Sequence, residues 1–301
     1  MESWIIFSLA SSFLFAVVSI LDKYGVYDRT NLSPKLLNMY VGFSNFTVGL
    51  IFLFIFGITD LISVNSFMAL LVGMIQGASL IIMFWSLKNS DVTRVMPIWS
   101  AYPLWVALLA VIFTQETLTY KQLFFMFFLI SGGVIANINF KNDNTLGFSI
   151  KSFCILISGT ILFASSQIIN KEVVQNLPLL EVYGFRGIGV CLTLALPFAS
   201  RTNITDLGKY VLNWKKSKYI FLAETVLATF AYLTILYSLL NGPVSLVAAI
   251  SGTRPVFIVG LYSLLSLLKV NISETFSRNE VVVKMVSAIF VTLGVFGIAF
   301  F

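Results

Sequence analysis

The stretch LFAVVSILDK (residues 14–23) recurs later in the chain as LFASSQIINK (residues 162–171), and this repetition decides the fold. The two copies share an opening Leu-Phe-Ala, an isoleucine and a closing lysine. Each copy is the end of a longer apolar run of the size that crosses a membrane as one helix. Repetition of such a helix suggests that a whole block of helices is repeated.

Further matches follow in the same order and support two related halves. LLNMY (36–40) matches LLEVY (179–183), WSLKNSDVTRV (85–95) matches YSLLNGPVSLV (237–247), and ISGGV (130–134) matches VTLGV (291–295). Any one of these matches between apolar segments could arise by chance, but their common order is informative. The sequence therefore predicts one repeat over residues 1–144 and a second over residues 145–301.

The composition requires a membrane. The 301 residues are 58% hydrophobic and only 11% charged, with a mean hydropathy of +0.94. A soluble core could not bury so much apolar surface. We predict an all-α integral membrane protein with ten transmembrane helices, at 3–22, 36–57, 65–87, 93–113, 120–140, 148–170, 179–199, 217–240, 244–268 and 280–301. Because each half has five helices, an odd number, the two repeats should have inverted topology.

Composition also excludes several kinds of chemistry. The chain has no histidine, which removes histidine-based triads and metal sites. Its two cysteines lie in apolar segments, and no phosphate-binding loop is present. We therefore expect no enzyme activity, no cofactor and no metal. The first apolar segment has no lysine or arginine before it and no cleavage site after it, so we expect a retained helix rather than a signal peptide.

The net charge of +6 indicates membrane orientation rather than nucleic-acid binding. One side of the predicted membrane carries Lys23, Arg29, Lys35, Lys88, Arg94, Lys141, Lys151, Arg201, Lys209, Lys215, Lys216, Lys218, Lys269, Arg278 and Lys284, whereas the other carries Lys121 and Lys171. This asymmetry places the loops after odd-numbered helices in the cytosol and both termini outside, in a plasma (inner) membrane. Between the seventh and eighth helices, Leu207, Tyr210, Val211 and Trp214 share the spacing of an amphipathic interfacial helix.

Charged residues inside the predicted membrane helices are candidate functional groups. Arg254 lies in the ninth segment, where a central arginine costs about 2.5–3.5 kcal/mol on insertion scales. Such a charge needs a partner or a wet cavity, and Glu224 in the eighth segment and Arg186 in the seventh are the other charged groups at depth. The interpretations are a substrate site, with Arg254 binding an anionic group, and a static ion pair that holds the bundle together.

Three prolines interrupt the fourth and ninth segments, which occupy matching positions in the halves: Pro97, Pro103 and Pro255. Paired helix breaks indicate a midplane substrate site in transporters. Neighbouring candidates are Trp99, Ser100, Tyr102, Ser251 and Thr253. Gln76 and Gln167 either bind substrate or bridge helices, and Gly73-x-x-x-Gly77 indicates close packing. Glu116 and the Thr119-x-x-Gln122 capping box are expected to stabilise the start of the fifth helix.

With these features, the chain resembles the drug/metabolite transporter superfamily, particularly its ten-helix EamA-type members. The resemblance rests on the two-half layout, the WSLKNSDVTRV/YSLLNGPVSLV pair that leads to Pro103 and Pro255, and the Glu-Thr pairs at 116–117 and 274–275. It implies alternating access around a cavity lined by helices one, three, four, six, eight and nine. That cavity would include Gln76, Tyr102, Gln167, Glu224 and Arg254. Many members keep both termini in the cytosol, so the loop charges of this chain depart from the family pattern.

The leading functional hypothesis is a secondary exporter of an amino acid or a similar small organic anion or zwitterion. Arg254 would bind the anionic group, and Glu224 would couple charge or a proton. A phosphorylated-metabolite or nucleotide-type exchanger is the second hypothesis, with Lys23 or Lys171 as the extra cation. A non-transporting scaffold, in which the buried charges neutralise one another, is the third. The sequence leaves the oligomeric state open.

Overall fold

The computed structural model describes residues 2–22, 32–58, 62–89, 95, 98–136, 150–267 and 278–300, and the regular elements in these ranges are all helical. We number the α-helices α1 (Ser3–Leu21), α2 (Pro34–Phe56), α3 (Val64–Asn89), α4 (Tyr102–Phe113), α5 (Tyr120–Ala136), α6 (Ile150–Asn176), α7 (Leu179–Val190), α8 (Arg201–Leu212), α9 (Trp214–Ile220), α10 (Ala228–Asn241), α11 (Val244–Ser251), α12 (Arg254–Leu267) and α13 (Arg278–Phe300). The helical prediction is confirmed for this part of the chain.

Each of the ten predicted segments contains at least one described helix. Within the described ranges, seven spans are long and apolar enough to cross a membrane: Ser3–Leu21, Pro34–Phe56, Val64–Met83, Ser152–Asn176, Leu179–Phe198, Trp214–Asn241 and Val244–Leu261. The fourth and tenth predicted segments contain the shorter apolar helices Ile98–Phe113 and Val286–Val295. The fifth contains α5, which has 17 residues.

The outer surface of the bundle is apolar. Phe54 on α2 and Phe127 on α5 expose 92% and 63% of their surface, and many other large apolar side chains behave similarly. Water would disfavour such a surface, whereas the hydrocarbon of a bilayer solvates it. The polar side chains of the membrane segments are instead concentrated between helices.

Small residues bring α2, α3 and α7 into close contact. A Cβ added at Gly73 would overlap the carbonyl oxygen of Arg186, and one added at Gly77 would overlap the Thr193 hydroxyl. Across the same interface, a Cβ at Gly189 would overlap the carbonyl oxygen of Leu70. The predicted packing role of Gly73 and Gly77 is therefore confirmed, because only glycine permits backbones to approach this closely.

Several contacts pair helices from segments that the sequence overlay matches. Helix α1 packs against α10, α11 and α12, and its counterpart α6 packs against α3 and α4. Helices α2 and α7 pack against each other, as do α4 and α11, and α5 and α13. The candidate site described below lies where α1 meets the helices of the second half.

The regular α-helical pattern is interrupted at two matched positions and in two π-helical stretches. A turn at Ala101 precedes α4, and a turn at Gly252 and Thr253 separates α11 from α12. The helix α7 continues as a π-helix over Cys191–Ala195, and Phe221–Leu227 form a second π-helix between α9 and α10. We call Phe221–Leu227 the π segment; such bulges occur frequently at functional sites.

Helix α8 is the amphipathic helix expected between the seventh and eighth segments, but its boundary differs from the prediction. It ends at Leu212, so Trp214 begins α9 instead of belonging to the amphipathic face. Leu207 is buried against a small cluster that includes Met39 and Ile220. The turn at Asn213 interrupts the predicted spacing because α9 starts there in a new direction.

The capping box at the start of α5 is confirmed, whereas Glu116 has a different role from the one expected. Thr119 and Gln122 exchange hydrogen bonds between their side chains and backbone N–H groups, with N···O distances of 3.0 and 3.2 Å. The Glu116 carboxylate instead accepts hydrogen bonds from the backbone N–H groups of Val244 and Ser245, at 2.5 and 3.3 Å. It therefore caps α11, whose positive end has the stronger need for an acceptor.

Candidate functional site

Arg254 is the first residue of α12, immediately after the turn that interrupts the ninth segment. Its guanidinium donates hydrogen bonds from Nε and Nη2 to the Ser19 hydroxyl of α1, with Nε···Oγ at 3.1 Å. The guanidinium carbon lies 5.3 Å from the centre of the Phe15 ring. Phe15 and Ser19 are four residues apart, so both project from one face of α1 toward Arg254.

Two carboxyl groups lie close to Arg254. Asp22, at the end of α1, is on the same helical face as Ser19. Its carboxyl is in side-chain hydrogen-bonding contact with that of Glu224 from the π segment, and both interact electrostatically with Arg254. A hydrogen bond between two carboxyl groups requires a proton on one of them.

We define Ser19, Asp22, Glu224 and Arg254 as the Arg254 group. All four side chains retain partial solvent accessibility although they lie between helices. The Asp22 Oδ1 atom is itself buried and has no hydrogen-bond partner among the described residues. A buried carboxyl oxygen without a donor is costly, so this atom is available to a ligand that donates a hydrogen bond.

Aromatic residues from the fourth segment form a neighbouring wall. Tyr102 interacts electrostatically with Arg254, and its hydroxyl contacts Ser251 and the carbonyl oxygen of Ala248, the latter at 3.4 Å. Its ring lies 5.0 Å from that of Phe163, and Trp99 lies 5.7 Å from the same ring. Tyr102 and Trp99 are partly accessible. Tyr102 approaches the Arg254 group through its contacts with α11, and the Phe163 ring of α6 lies beside both aromatic rings.

Thr253 and the prolines lie at the helix breaks. Thr253 is 1% exposed, and its hydroxyl has no partner among the described residues. Pro103 is buried near the start of α4, and Pro255 is the second residue of α12. In the first turn of a helix the backbone N–H has no acceptor within the helix, so proline costs no hydrogen bond there. Pro97 lies outside the described residues, and Ser100 lies in the helical turn at residues 98–100.

Arg186 forms a separate and more enclosed cluster. It is 7% exposed, and it donates hydrogen bonds from Nε to Gln76 Oε1 at 2.6 Å and from Nη1 to Asn45 Oδ1 at 2.9 Å. Its guanidinium carbon lies 3.4 Å from the centre of the Tyr232 ring, and Asn170 donates to the Tyr232 hydroxyl at 2.7 Å. We call Arg186, Gln76, Asn45, Tyr232 and Asn170 the Arg186 cluster.

The structure therefore brings together only some of the predicted site residues. Arg254, Glu224, Tyr102, Trp99 and Ser251 lie in one region, whereas Gln76 belongs to the Arg186 cluster. Gln167 is buried on α6, and no described hydrogen bond joins it to the Arg254 group. The described hydrogen-bond acceptors of Arg186 are neutral amides, since the close approach of α2, α3 and α7 brings those amides to Arg186.

Sequence reasoning missed Asp22, Ser19 and Phe15. A signal was present, because the overlay of residues 14–23 on 162–171 pairs Asp22 with Asn170 and Ser19 with Gln167. Both second-half residues are buried and polar. A polar position retained in both repeats could have directed attention to the first. Asp22 was overlooked since it follows the apolar run directly and precedes Lys23, as a loop charge would.

The described features define a helical membrane protein with a polar, accessible group at a pair of helix breaks. Residues 2–138 match the EamA-like transporter family, which supports a place for the chain in the drug/metabolite transporter superfamily. The apolar spans and this match indicate a multi-pass integral membrane protein, and the matched family is one of transporters. A solved crystal structure matches 99% of this chain and 96% of its own, with a TM-score of 0.74 and 13% identity, which shows a shared fold. No curated protein matches the sequence.

Proposed function

We propose that the protein is a secondary exporter of an amino acid or a similar small organic anion or zwitterion. The observation that supports this function best is the partial accessibility of Arg254, Glu224 and Asp22 at the break between α11 and α12. Charges placed inside membrane segments are expensive, and they occur mainly where they face a cavity and serve transport. The Arg186 cluster differs because its side chains are buried, which suits a structural role.

The chemistry of the site favours a substrate with a carboxylate and an amine. Arg254 presents Nε and Nη2 to the single Ser19 oxygen, and a carboxylate could replace that hydroxyl with two parallel hydrogen bonds. The unpartnered Asp22 Oδ1 would accept a hydrogen bond from a substrate ammonium group. Trp99 and Tyr102 would line the path for the substrate side chain.

A proton is the coupling ion that the two carboxyl groups support. Asp22 and Glu224 would share one proton when substrate is absent, and release of that proton would leave two carboxylates beside Arg254. These carboxylates would bind a substrate ammonium group, and the shared proton would weaken that binding because both cations need the same carboxyl charge. Mutually exclusive binding of proton and substrate would couple export to proton entry.

The proposed mechanism is alternating access by two inverted five-helix repeats, residues 1–144 and 145–301, in a ten-helix bundle. Support comes from contacts between helices of segments that the sequence overlay matches, and from breaks at matched positions before α4 and α12. Repeats of this kind can rock around a central site without large internal changes. The proposed location is the plasma (inner) membrane, with both termini outside.

A phosphorylated substrate is less well supported, because it would require a second cation near Arg254. Lys171 donates its ammonium hydrogens to the carbonyl oxygens of Leu239 and Gly242, at 2.7 and 2.9 Å, and is thereby held at the end of α10. Lys23 lies outside the described residues. A scaffold function is disfavoured by the accessible surface of the Arg254 group.

Transport in proteoliposomes would test the proposal. Purified protein would be reconstituted and supplied with a panel of labelled amino acids, organic anions and sugar phosphates, in the presence and absence of a pH gradient. We expect an amino acid or organic anion to be transported, and Arg254→Ala to abolish its movement. Arg201→Ala is a matched control, since Arg201 is exposed at the start of α8. Equal transport by the native protein and the folded Arg254→Ala variant would refute the site.

A further inference from the structure

We propose that a groove at the start of the eighth membrane segment binds the headgroup of an anionic phospholipid. The groove has a volume of about 420 Å³ and is lined by Trp214, Lys218, Tyr219, Phe221 and Leu222. It lies outside the Arg254 group and does not depend on the identity of the transported substrate. We call it the Lys218 groove.

The lining has the chemistry of a membrane interface. Trp214, Phe221 and Leu222 are 61%, 41% and 44% exposed, so an apolar surface of one tryptophan, one phenylalanine and one leucine is available to acyl chains. The Trp214 and Phe221 rings contact each other, with centroids 5.7 Å apart. The Lys218 ammonium lies 5.0 Å from the centre of the Tyr219 ring. Aromatic rings and a lysine at the end of a membrane helix are typical of the headgroup level.

The positive charge around the Lys218 groove favours an anionic lipid. Lys215, Lys216 and Lys218 are all exposed within the first five residues of α9. Asp206 on α8 forms a 3.9 Å ion pair with Lys209, and no ion pair between described residues involves the α9 lysines. A lysine near an anionic membrane surface contributes about a fivefold preference for binding, equivalent to about 1 kcal/mol, and Lys218 is the lysine that lines the groove.

Hydrogen bonds also hold α8 and α9 together. The Tyr210 hydroxyl donates to the carbonyl oxygen of Lys216 at 3.2 Å, and the Ser217 hydroxyl donates to that of Val211 at 3.0 Å. These bonds join α8 to α9 on both sides of Asn213. They fix the position of α8 against the start of α9, beside the groove, and so reduce the ordering that binding would require.

Quenching of Trp214 fluorescence by brominated lipid would test the proposal directly. The full chain would be reconstituted in phosphatidylcholine that contains a small fraction of either brominated phosphatidylglycerol or brominated phosphatidylcholine. Subtraction of the Trp214→Phe signal would isolate Trp214 from the other four tryptophans. We expect quenching to require about fivefold less brominated phosphatidylglycerol than brominated phosphatidylcholine.

Two lysine variants make the test specific. Lys218→Gln should remove most of the preference for brominated phosphatidylglycerol, whereas Lys209→Gln, which removes the same charge outside the groove, should retain it. Equal quenching by the two lipids in the native protein would overturn the proposal. A similar loss of preference in both variants would also overturn it, because the lipid would then respond to total charge. Neither result bears on which substrate is transported.

Discussion

Arg186 is a buried cation whose described partners are neutral. Gln76, Asn45 and the Tyr232 ring hold it in place between α2, α3, α7 and α10. A guanidinium in such a setting depends strongly on every acceptor, because an unpaired donor cannot turn to water. The Arg186 cluster therefore joins helices of both halves through one side chain.

Replacement of Gln76 by leucine should destabilise the protein. Gln76→Leu removes the acceptor of the Arg186 Nε–H, and a hydrogen bond to a charged group is worth about 1.5–3 kcal/mol. Thermal unfolding in detergent should show a lower midpoint than that of the native protein. Gln175→Leu, an exposed change on α6, is the control and should leave the midpoint nearly unchanged. Equal midpoints for the two variants would contradict a structural role for the Arg186 cluster.

Asp22 should be required for the response of transport to a pH gradient. Asp22→Asn keeps a carbonyl oxygen near Glu224 but cannot bind or release a proton. We expect the gradient-driven part of substrate transport in proteoliposomes to fall to zero, while exchange of substrate across the membrane continues. Asp206→Asn, at the exposed ion pair with Lys209, should keep the full response. A gradient response that survives Asp22→Asn would exclude the shared proton as the coupling device.

The sequence predicted the charged centre of the candidate site but not its complete membership. Arg254 and Glu224 stood out because a charge inside an apolar segment is conspicuous. Gln76 was grouped with them because it lies at depth in its predicted membrane segment. Depth in the membrane does not show which neighbouring helix a side chain faces. The contacts that separate the Arg254 group from the Arg186 cluster arise from glycine-mediated packing between distant parts of the chain.

At the scale of elements, Glu116 connects the loop after α4 to the start of α11. Besides the two backbone N–H groups, its carboxylate accepts a hydrogen bond from the Ser245 hydroxyl at 2.5 Å. The loop belongs to the first half and α11 to the second. This side chain thus holds together elements that must separate if the halves rock against each other.

Removal of the Glu116 carboxylate should loosen α11. We expect Glu116→Ala to lower stability by about 2 kcal/mol, because it deletes a charged helix cap. Hydrogen exchange should accelerate at the amides of Val244 and Ser245, which would lose their acceptor. Glu172→Ala on α6 is the control, since its exposed carboxylate contacts only Asn176 in the described hydrogen bonds. Unchanged exchange at Val244 and Ser245 would contradict the cap.

The interface between α3 and α7 should not tolerate a methyl group. Gly73→Ala would place a Cβ against the Arg186 carbonyl oxygen, and such overpacking typically costs about 1–3 kcal/mol. The midpoint of thermal unfolding should fall accordingly. Gly260→Ala offers a matched control on α12, where a Cβ would meet open space. If both variants unfold at the same temperature, the helices do not approach as closely as described.

Helix positions were predictable from apolar runs, but helix irregularities were not. The ten segments matched described helices because hydropathy reports the length of chain that a bilayer can hold. The π segment at Phe221–Leu227 has no corresponding signal in composition, since its residues suit an ordinary helix equally well. Its geometry arises from the packing of α1, α2 and α10 around it.

At the scale of the whole molecule, the sequence overlay of the two predicted repeats pairs residues of the two polar centres. Asp22 corresponds to Asn170, and Tyr40 corresponds to Tyr183. Both tyrosines donate to or accept from threonines one turn apart, Tyr40 with Thr225 and Tyr183 with Thr229, at 2.9 Å in each case. At this matched position Asp22 is a partly accessible acid, whereas Asn170 is a buried neutral amide. Such divergence would give a symmetric scaffold a single transport site.

The orientation of this scaffold follows from the loop charges and can be measured. In a background in which Cys154 and Cys191 are replaced by serine, single cysteines would be introduced at the exposed positions Lys121 and Lys209. A membrane-impermeant maleimide added to intact cells should label Lys121→Cys and spare Lys209→Cys until the cells are permeabilised, because the lysine-rich loops are retained in the cytosol. The reverse pattern would place both termini in the cytosol and make family analogy the better guide. Labelling of both positions in intact cells would contradict the ten-helix arrangement itself, since an odd number of crossings separates the two residues in that arrangement.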